Sequence, residues 1–276
     1  MKPSAADLHG LLTQPSMNSL AELYHENSKL TRVNSRPYGE YISQITGSPF
    51  LVEKMAHPYK TYPTRPRIAL PAQFDDPPEP TRALYDIVRG RRTFQQFSGN
   101  PITIADAAQL LYFSYGITKR APAGSSPLSG PSLRAVPSAG ALYPLELYLV
   151  AWNVLTLEPA IYHYNVLDHE LELIKHGDYA DLARDYSLSN RPAEKASALF
   201  LVSAAFRRTA MKYLERGYRF IFLEAGHLAQ NLCLTATALK LGVLPIGGFL
   251  DDEFNRLLGL DGVNEAVVYP LFVGKV

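Results

Sequence analysis

Seven prolines fall between residues 58 and 80: Pro58, Pro63, Pro66, Pro71, Pro77, Pro78 and Pro80. Proline fixes φ and donates no backbone hydrogen bond, so this stretch can be neither regular helix nor a central strand. It is expected to cross a surface in extended form, as a linker or as an arm that embraces a partner subunit. Residues 1–79 then read as an N-terminal extension, helical or irregular over 1–57, with the proline-rich arm at its end. Residues 80–276 read as the folded domain, and 47% hydrophobic content over 276 residues is enough to bury a large core.

After Pro80 the pattern becomes regular. Thr81 to Gly90 predicts a short helix stopped by glycine. Thr103 caps a second helix with Asp106 three residues on, and Ala107, Leu110, Leu111 and Ser114 follow at helical spacing to an end near Gly116. Residues 120–138 are rich in Gly, Ser and Pro and read as a long loop. Strands are expected at Leu145–Trp152, Ala160–Val166, Glu170–Lys175 (half-exposed), Leu199–Ala205 (central) and Ala266–Gly274. His169 is expected to be a solvated turn histidine. Tyr218 to Leu241 predicts the longest helix, ended by Gly242, and Asp251 to Leu258 a short one. Helices mixed with an antiparallel-leaning sheet make the class α+β.

Charge and cysteine content narrow the function classes. The net charge is +1, and the longest basic run, Arg89 to Arg92, is interrupted by Gly90, which argues against nucleic-acid binding by charge. Cys233 is the single cysteine and sits in an apolar helical pattern, as a buried structural thiol would. No apolar run approaches a membrane span, and the first residues lack the apolar core of a signal peptide. A cytoplasmic protein in a reducing compartment is expected. With no His-Glu-x-x-His and no cysteine pair, no metal site is expected.

Five constellations have chemical content. Arg91-Arg92-Thr93 offers two planar forks of donors and a hydroxyl to a phosphate, although a solvated basic turn has the same spacing. Pro137-Ser138-Ala139-Gly140-Ala141-Leu142-Tyr143-Pro144 is a proline-bounded run of small residues that lets backbone approach a ligand, or an ordinary loop before a strand. Gly247-Gly248, after Pro245, leaves peptide N–H groups bare, or makes a tight turn. Lys212-Tyr213 pairs an amine with a phenol, and the amine is a base only where burial or a nearby cation lowers its pKa. Glu224, His227 and Asn231 share one helix face opposite Phe222, Ala225, Ala229 and Leu232, as a cleft lining or as an ordinary surface.

Taken together in chain order, the five pieces, with Arg216-Gly217-Tyr218-Arg219, Gly226-His227-Leu228-Ala229-Gln230-Asn231-Leu232 and Pro245-Ile246-Gly247-Gly248-Phe249, resemble the nitroreductase superfamily over about residues 80–276. They are most similar to its SagB-type branch, the flavin-dependent azoline oxidases of azole-containing peptide biosynthesis. Tyr24 to Lys29 adds a weaker likeness. The resemblance implies a nitroreductase-like fold with a central, mostly antiparallel sheet flanked by helices, and a homodimer with FMN at its subunit interface. Arg91, Arg92 and Thr93 match the motif for the FMN phosphate and ribityl chain. Where the family usually has a second basic residue, this chain has Gln95, which leaves Lys275 as a substitute. Pro137, Ser138, Ala139 and Gly140 match the segment that reaches the flavin from the other subunit, and Gly247 and Gly248 the turn whose N–H faces flavin N5. Lys212 and Tyr213 match the branch's catalytic pair.

The mechanism this implies is a two-electron dehydrogenation of a thiazoline or oxazoline, on a free, peptide-borne or carrier-bound substrate, within a biosynthetic complex or outside one. Two other readings share the fold: a nicotinamide-fed reductase of nitro compounds or quinones, and a non-catalytic scaffold subunit. Lys212-Tyr213 argues against the reductase, because a simple hydride relay needs no such base.

Overall fold

The computed structural model of the chain describes Tyr24, Asn27 and residues 35–56, 58–71, 84–120, 132–187 and 193–276. The chain divides into two compact units, residues 1–43 and 44–276, where the proline argument sets a division at residue 80. The first unit holds helical Tyr24 and Asn27 and the beginning of α1 (Ser35–Gly47), in which Arg36 Nε donates to Glu40 Oε1 across one turn at 2.9 Å.

The second unit continues with α2 (Pro49–Ala56), β1 (Arg67–Ala69), α3 (Leu84–Gly90), β2 (Ile102–Thr103), α4 (Ile104–Tyr115), β3 (Ile117–Lys119) and β4 (Leu133–Arg134). Then come β5 (Leu145–Ala151), β6 (Val154–Leu155), β7 (Ala160–Asn165), β8 (Glu170–His176), α5 (Ala180–Asp185), β9 (Ala198–Ala205) and α6 (Phe206–Tyr213). The long α7 (Gly217–Ala238), β10 (Leu241–Pro245), α8 (Asp251–Leu258) and β11 (Glu265–Lys275) complete it. Seven strands form one sheet in the order β1-β8-β7-β5-β9-β11-β10, every neighbour antiparallel. The α+β class and the antiparallel sheet flanked by helices are as expected.

Both faces of the sheet are covered, which is why its middle strands read as unbroken apolar runs. Leu145, Leu147 and Leu149 of β5 pack with α4 and α7, whereas Tyr148 and Val150 pack with Phe254 and Leu258 of α8 and Ala183 of α5. Each such apolar side chain contributes about 1.5–3 kcal/mol on burial. β9 lies inside the sheet, as its sequence predicted. Thr103 and Asp106 close a reciprocal capping box on α4: Asp106 N donates to Thr103 Oγ1 at 3.0 Å, and Thr103 N to Asp106 Oδ2 at 2.8 Å.

Several expectations need correction. Leu241 opens a strand rather than ending α7, because β10 pairs with β11 from Leu241↔Lys275 onward. The eight-residue helix α6 is absent from the expected elements. β4 lies inside the stretch expected to be a loop, of which residues 121–131 fall outside the described residues, as do Thr81 to Ala83 of the predicted helix. β8 is not simply half-exposed, for Glu172 is fully buried. His169 is half-buried rather than solvated. Its Nδ1 lies 2.8 Å from Tyr164 Oη and its Nε2 3.3 Å from Pro71 O, and burial lowers its pKa. A neutral ring that accepts from the tyrosine and donates to the carbonyl satisfies both contacts.

Candidate functional site

α6 carries Arg208 and Lys212 at i and i+4, on one side of the helix. Arg208 is the anchor. Its Nη2 pairs with Glu146 Oε1 of β5 at 2.5 Å, and its Nη1 donates to Tyr143 O at 3.1 Å. One turn on, Lys212 is half-buried, and burial holds its pKa below that of an ordinary lysine. Its Nζ lies 5.3 Å from the Tyr213 ring centre. Burial raises the Tyr213 phenol, whose ring meets Phe220 edge-on at 5.1 Å. Leu214 then breaks the helix with φ +49, a conformation costly for a branched residue.

The turn facing this pair is the Pro137–Pro144 segment. Gly140 has φ +61, Ala141 +53 and Tyr143 +44, so three of four consecutive residues sit in the left-handed region, two of them not glycine. A methyl group built on Gly140 would stand 2.7 Å from Tyr213 Oη and 2.9 Å from Lys212 Nζ. The chain thus brings together two constellations that are far apart in sequence. It places backbone strain on both sides of the junction, as at sites where geometry is over-determined.

Polar side chains buried behind the turn hold it. Ser138 accepts from Tyr143 N at 2.9 Å and bonds the Glu224 carboxyl, which also accepts from Tyr115 Oη at 2.8 Å. Desolvation pushes Glu224 up to about 7, against the opposing pull of Ser138, Tyr115, Arg134 and Arg208. The Arg134 guanidinium lies between the rings of Tyr115 and Tyr143, 4.5 and 4.7 Å from their centres. Arg134 Nη2 and Arg208 Nη1 both reach Pro58 O, at 2.8 and 3.4 Å, so the proline-rich segment lies against the site. Beyond Arg208, Glu146 bonds His163 Nε2 at 3.1 Å, and His163 Nδ1 lies 3.0 Å from Glu172. Burial alone would raise Glu146, but Arg208 and His163 hold it at about 2. Burial opposes the charge on His163, and its two carboxylate partners raise its pKa above the ordinary value.

The polar strip of α7 is therefore only in part a surface face. Glu224 is only 2% exposed, and Asn231 Nδ2 donates inward to Ala135 O at 3.0 Å, while His227 is exposed. Phe222, expected on the buried side, is 49% exposed. The buried stripe is centred on Ile221, Leu228 and Leu232, which moves Glu224 inside its edge and Phe222 out. Arg134, Arg208, Glu146 and His163 were missed. An isolated Glu or His within an apolar strand run was the available signal.

The remaining expected site residues gather around the edge strand β10. Thr93 bridges Val243, and Phe94 N donates to Val243 O at 3.0 Å, which sets Arg91, Arg92 and Gln95 beside that strand. Arg92 Nη1 donates to Arg89 O and Arg91 O, capping the end of α3. Lys275 Nζ lies 3.4 Å from Asp106 Oδ2, so its charge is already compensated. The buried Cys233 thiol is raised by burial, with the Arg91 charge opposing. After β10, Ile246 N is tied to Pro270 O and Leu250 N to Tyr186 O, which leaves Gly247 and Gly248 exposed between two anchors. Neither glycine has positive φ, so an unusual dihedral is not the reason for them, and a methyl on Gly247 would meet open space. Free room, an exposed peptide edge and nearby guanidiniums fit a flat ligand that carries a phosphate.

Among the described residues no group of three or more His, Cys, Asp or Glu could hold a metal, and no helix is long and apolar enough to cross a membrane.

The Nitroreductase family profile matches residues 88–275. A Methanocaldococcus jannaschii protein named as a nitroreductase is 30% identical over 193 residues, 70% of this chain and 89% of its own. The microcin B17-processing protein McbC of Escherichia coli is 32% identical over 162 residues, 55% of this chain and 58% of its own, so the chain spans little more than half of that relative. A chain of the E. coli microcin synthetase McbBCD complex, solved with truncated pro-MccB17 bound, superposes with TM-score 0.58 at 21% identity, covering 90% of this chain and 98% of its own.

Proposed function

The chain belongs to the nitroreductase family, in its SagB-type branch, and from that premise we propose that it is an FMN-dependent dehydrogenase of azoline rings in peptide natural-product biosynthesis. The observation that carries this reading is the junction of Gly140 with Lys212 and Tyr213. A reductase fed by nicotinamide needs only a hydride path. Aromatising a thiazoline or oxazoline removes a ring hydrogen as hydride and another hydrogen as a proton, and the proton needs a base.

Lys212 is that base. Partial burial lowers its pKa, so more of it is neutral near pH 7 than of a free lysine, while the raised phenol of Tyr213 keeps its proton. Tyr213 therefore acts as a neutral phenol that orients the substrate or passes the proton on. Bound FMN supplies the acceptor for the hydride. Arg91 and Thr93 would hold its phosphate and ribityl chain, and the bare peptide at Gly247 and Gly248 would lie along its ring.

Thr93 bridges the edge strand β10, whereas the Ser138–Gly140 turn leads into β5, three strands away in the sheet, and the reading has one flavin held by residues of two copies. Leu84, Tyr85 and Val88 of α3 and Phe222 and Leu223 of α7 are each about half exposed or more, an apolar surface of the kind a second copy covers. The complete site is thus a homodimer's, and its substrate is a peptide delivered free or within a biosynthetic complex.

The test is a choice of electron donor. Purified protein supplied with FMN is given azoline-containing peptide or reduced nicotinamide with a nitroaromatic. The reading requires azole formation with the peptide. Faster steady-state turnover of the nicotinamide and nitroaromatic pair, with no azole from the peptide, sinks it.

A further inference from the structure

Among the described residues, Glu224 is a carboxylate that reaches the turn facing Lys212 and Tyr213. It comes from α7 and meets Tyr115 of α4, Ser138 of the turn, and the charges of Arg134 on β4 and Arg208 on α6, with Tyr143 also within its field. Both hydroxyls that bond it are already committed as acceptors. Tyr115 Oη receives Leu145 N at 3.1 Å, and Ser138 Oγ receives Tyr143 N. Their protons are therefore free to point at Glu224, and an ionised carboxylate accepts both. A protonated carboxyl keeps acceptor sites but loses its charge, so both bonds weaken from charge-assisted to neutral.

We propose that Glu224 is a positioning residue whose carboxylate, through Ser138, holds the Gly140–Tyr143 turn against Lys212 and Tyr213, and that taking up a proton from solvent loosens that turn. The proposal rests on the dehydrogenase reading only for its consequence in catalysis; the hold on the turn stands on this chain's own contacts. The turn needs such a hold because Gly140, Ala141 and Tyr143 all keep positive φ. The same helix adds a second tie through Asn231 to Ala135. The setting also places the group where ordinary pH changes reach it, since desolvation raises it to about 7.

The experiment measures amide hydrogen exchange of residues 141–143 between pH 5.5 and 8.5, corrected for intrinsic rates, in the full chain and in Glu224→Gln. The wild type should lose roughly fivefold protection as pH falls through the neutral range, the loss expected when a charge-assisted bond becomes a neutral one. Glu224→Gln should show low protection and no pH step. The same proteins are then assayed for azoline dehydrogenation, where the variant should lose the neutral step in kcat but keep the higher step that belongs to Lys212. A wild-type turn with no pH step, or a step that persists in Glu224→Gln, overturns the proposal. A protein that takes up no FMN and makes no azole overturns the functional reading instead, and the exchange data still decide the role of Glu224.

Discussion

Tyr213 Oη lies close enough to Gly140 that a methyl carbon built there would stand only 2.7 Å away. Gly140→Ala therefore meets a clash and, at φ +61, a strained backbone at once. The strain alone costs about 1–2 kcal/mol, and the ring and amine must move to make room. The expected outcome is a loss of turnover larger than the loss of stability. Parallel thermal melts and dehydrogenation rates check it, and equal losses would place Gly140 in the fold rather than in the site.

Arg91 and Arg92 should not behave alike. Arg92 Nη1 is spent on two carbonyls at the end of α3, whereas Arg91 projects its charge toward Cys233 beside β10. Arg91→Gln should weaken FMN binding by roughly tenfold or more, the loss of one charge-assisted phosphate contact. Arg92→Gln should do less. Flavin fluorescence titration distinguishes them.

The buried line Arg208–Glu146–His163–Glu172 sets an acid limit on stability. The Glu146 carboxyl is depressed to about 2 in the fold, below its unfolded value, so its contribution is fully present above about 4.5 and is lost as pH falls toward 2. That contribution is about 3 kcal/mol. His163 has the opposite sign. Its raised pKa gives stability that is present below its unfolded value of 6.5 and is lost as pH rises through the folded value. Urea unfolding at pH 3, 6 and 9 should show a maximum between the extremes. His163→Gln should flatten the alkaline limb.

Glu224 runs the other way again. Its folded value of about 7 exceeds the unfolded 4.5, so stability falls as pH rises between them and the fold carries a penalty of about 3 kcal/mol above 7. Glu224→Gln should therefore be more stable than wild type at pH 8.5 and no more stable at pH 4.5. Thermal melts at the two values check it. Stabilisation accompanied by lost turnover is the pattern of a residue kept for function.

The sequence carried most of the architecture. Thr103 and Asp106 announced α4, and the apolar runs at Leu145, Ala160 and Leu199 announced β5, β7 and β9, because capping and double-sided burial leave local marks. Gly140 and Lys212-Tyr213 were legible as separate pieces. Their contact was not, because only the sheet brings a turn before β5 to the end of α6. Glu146 and His163 hid inside apolar strands, since a buried charge is read from its partners and these lie on other elements. Gly247 was legible as bare peptide or a tight turn, and the open space beside it shows only in the structure.

The central claim is that Lys212, set against the Gly140 turn, takes the proton in a two-electron dehydrogenation. Protein loaded with FMN is mixed without oxygen with an azoline peptide, and flavin bleaching and azole formation are followed in wild type and Lys212→Ala. Wild type should bleach with one azole formed per flavin, at a rate that rises with pH as Lys212 loses its proton. Lys212→Ala should keep its FMN and slow by about 100-fold or more, the range for loss of a general base. A Lys212→Ala protein that bleaches at the wild-type rate with the same azole yield would contradict the claim.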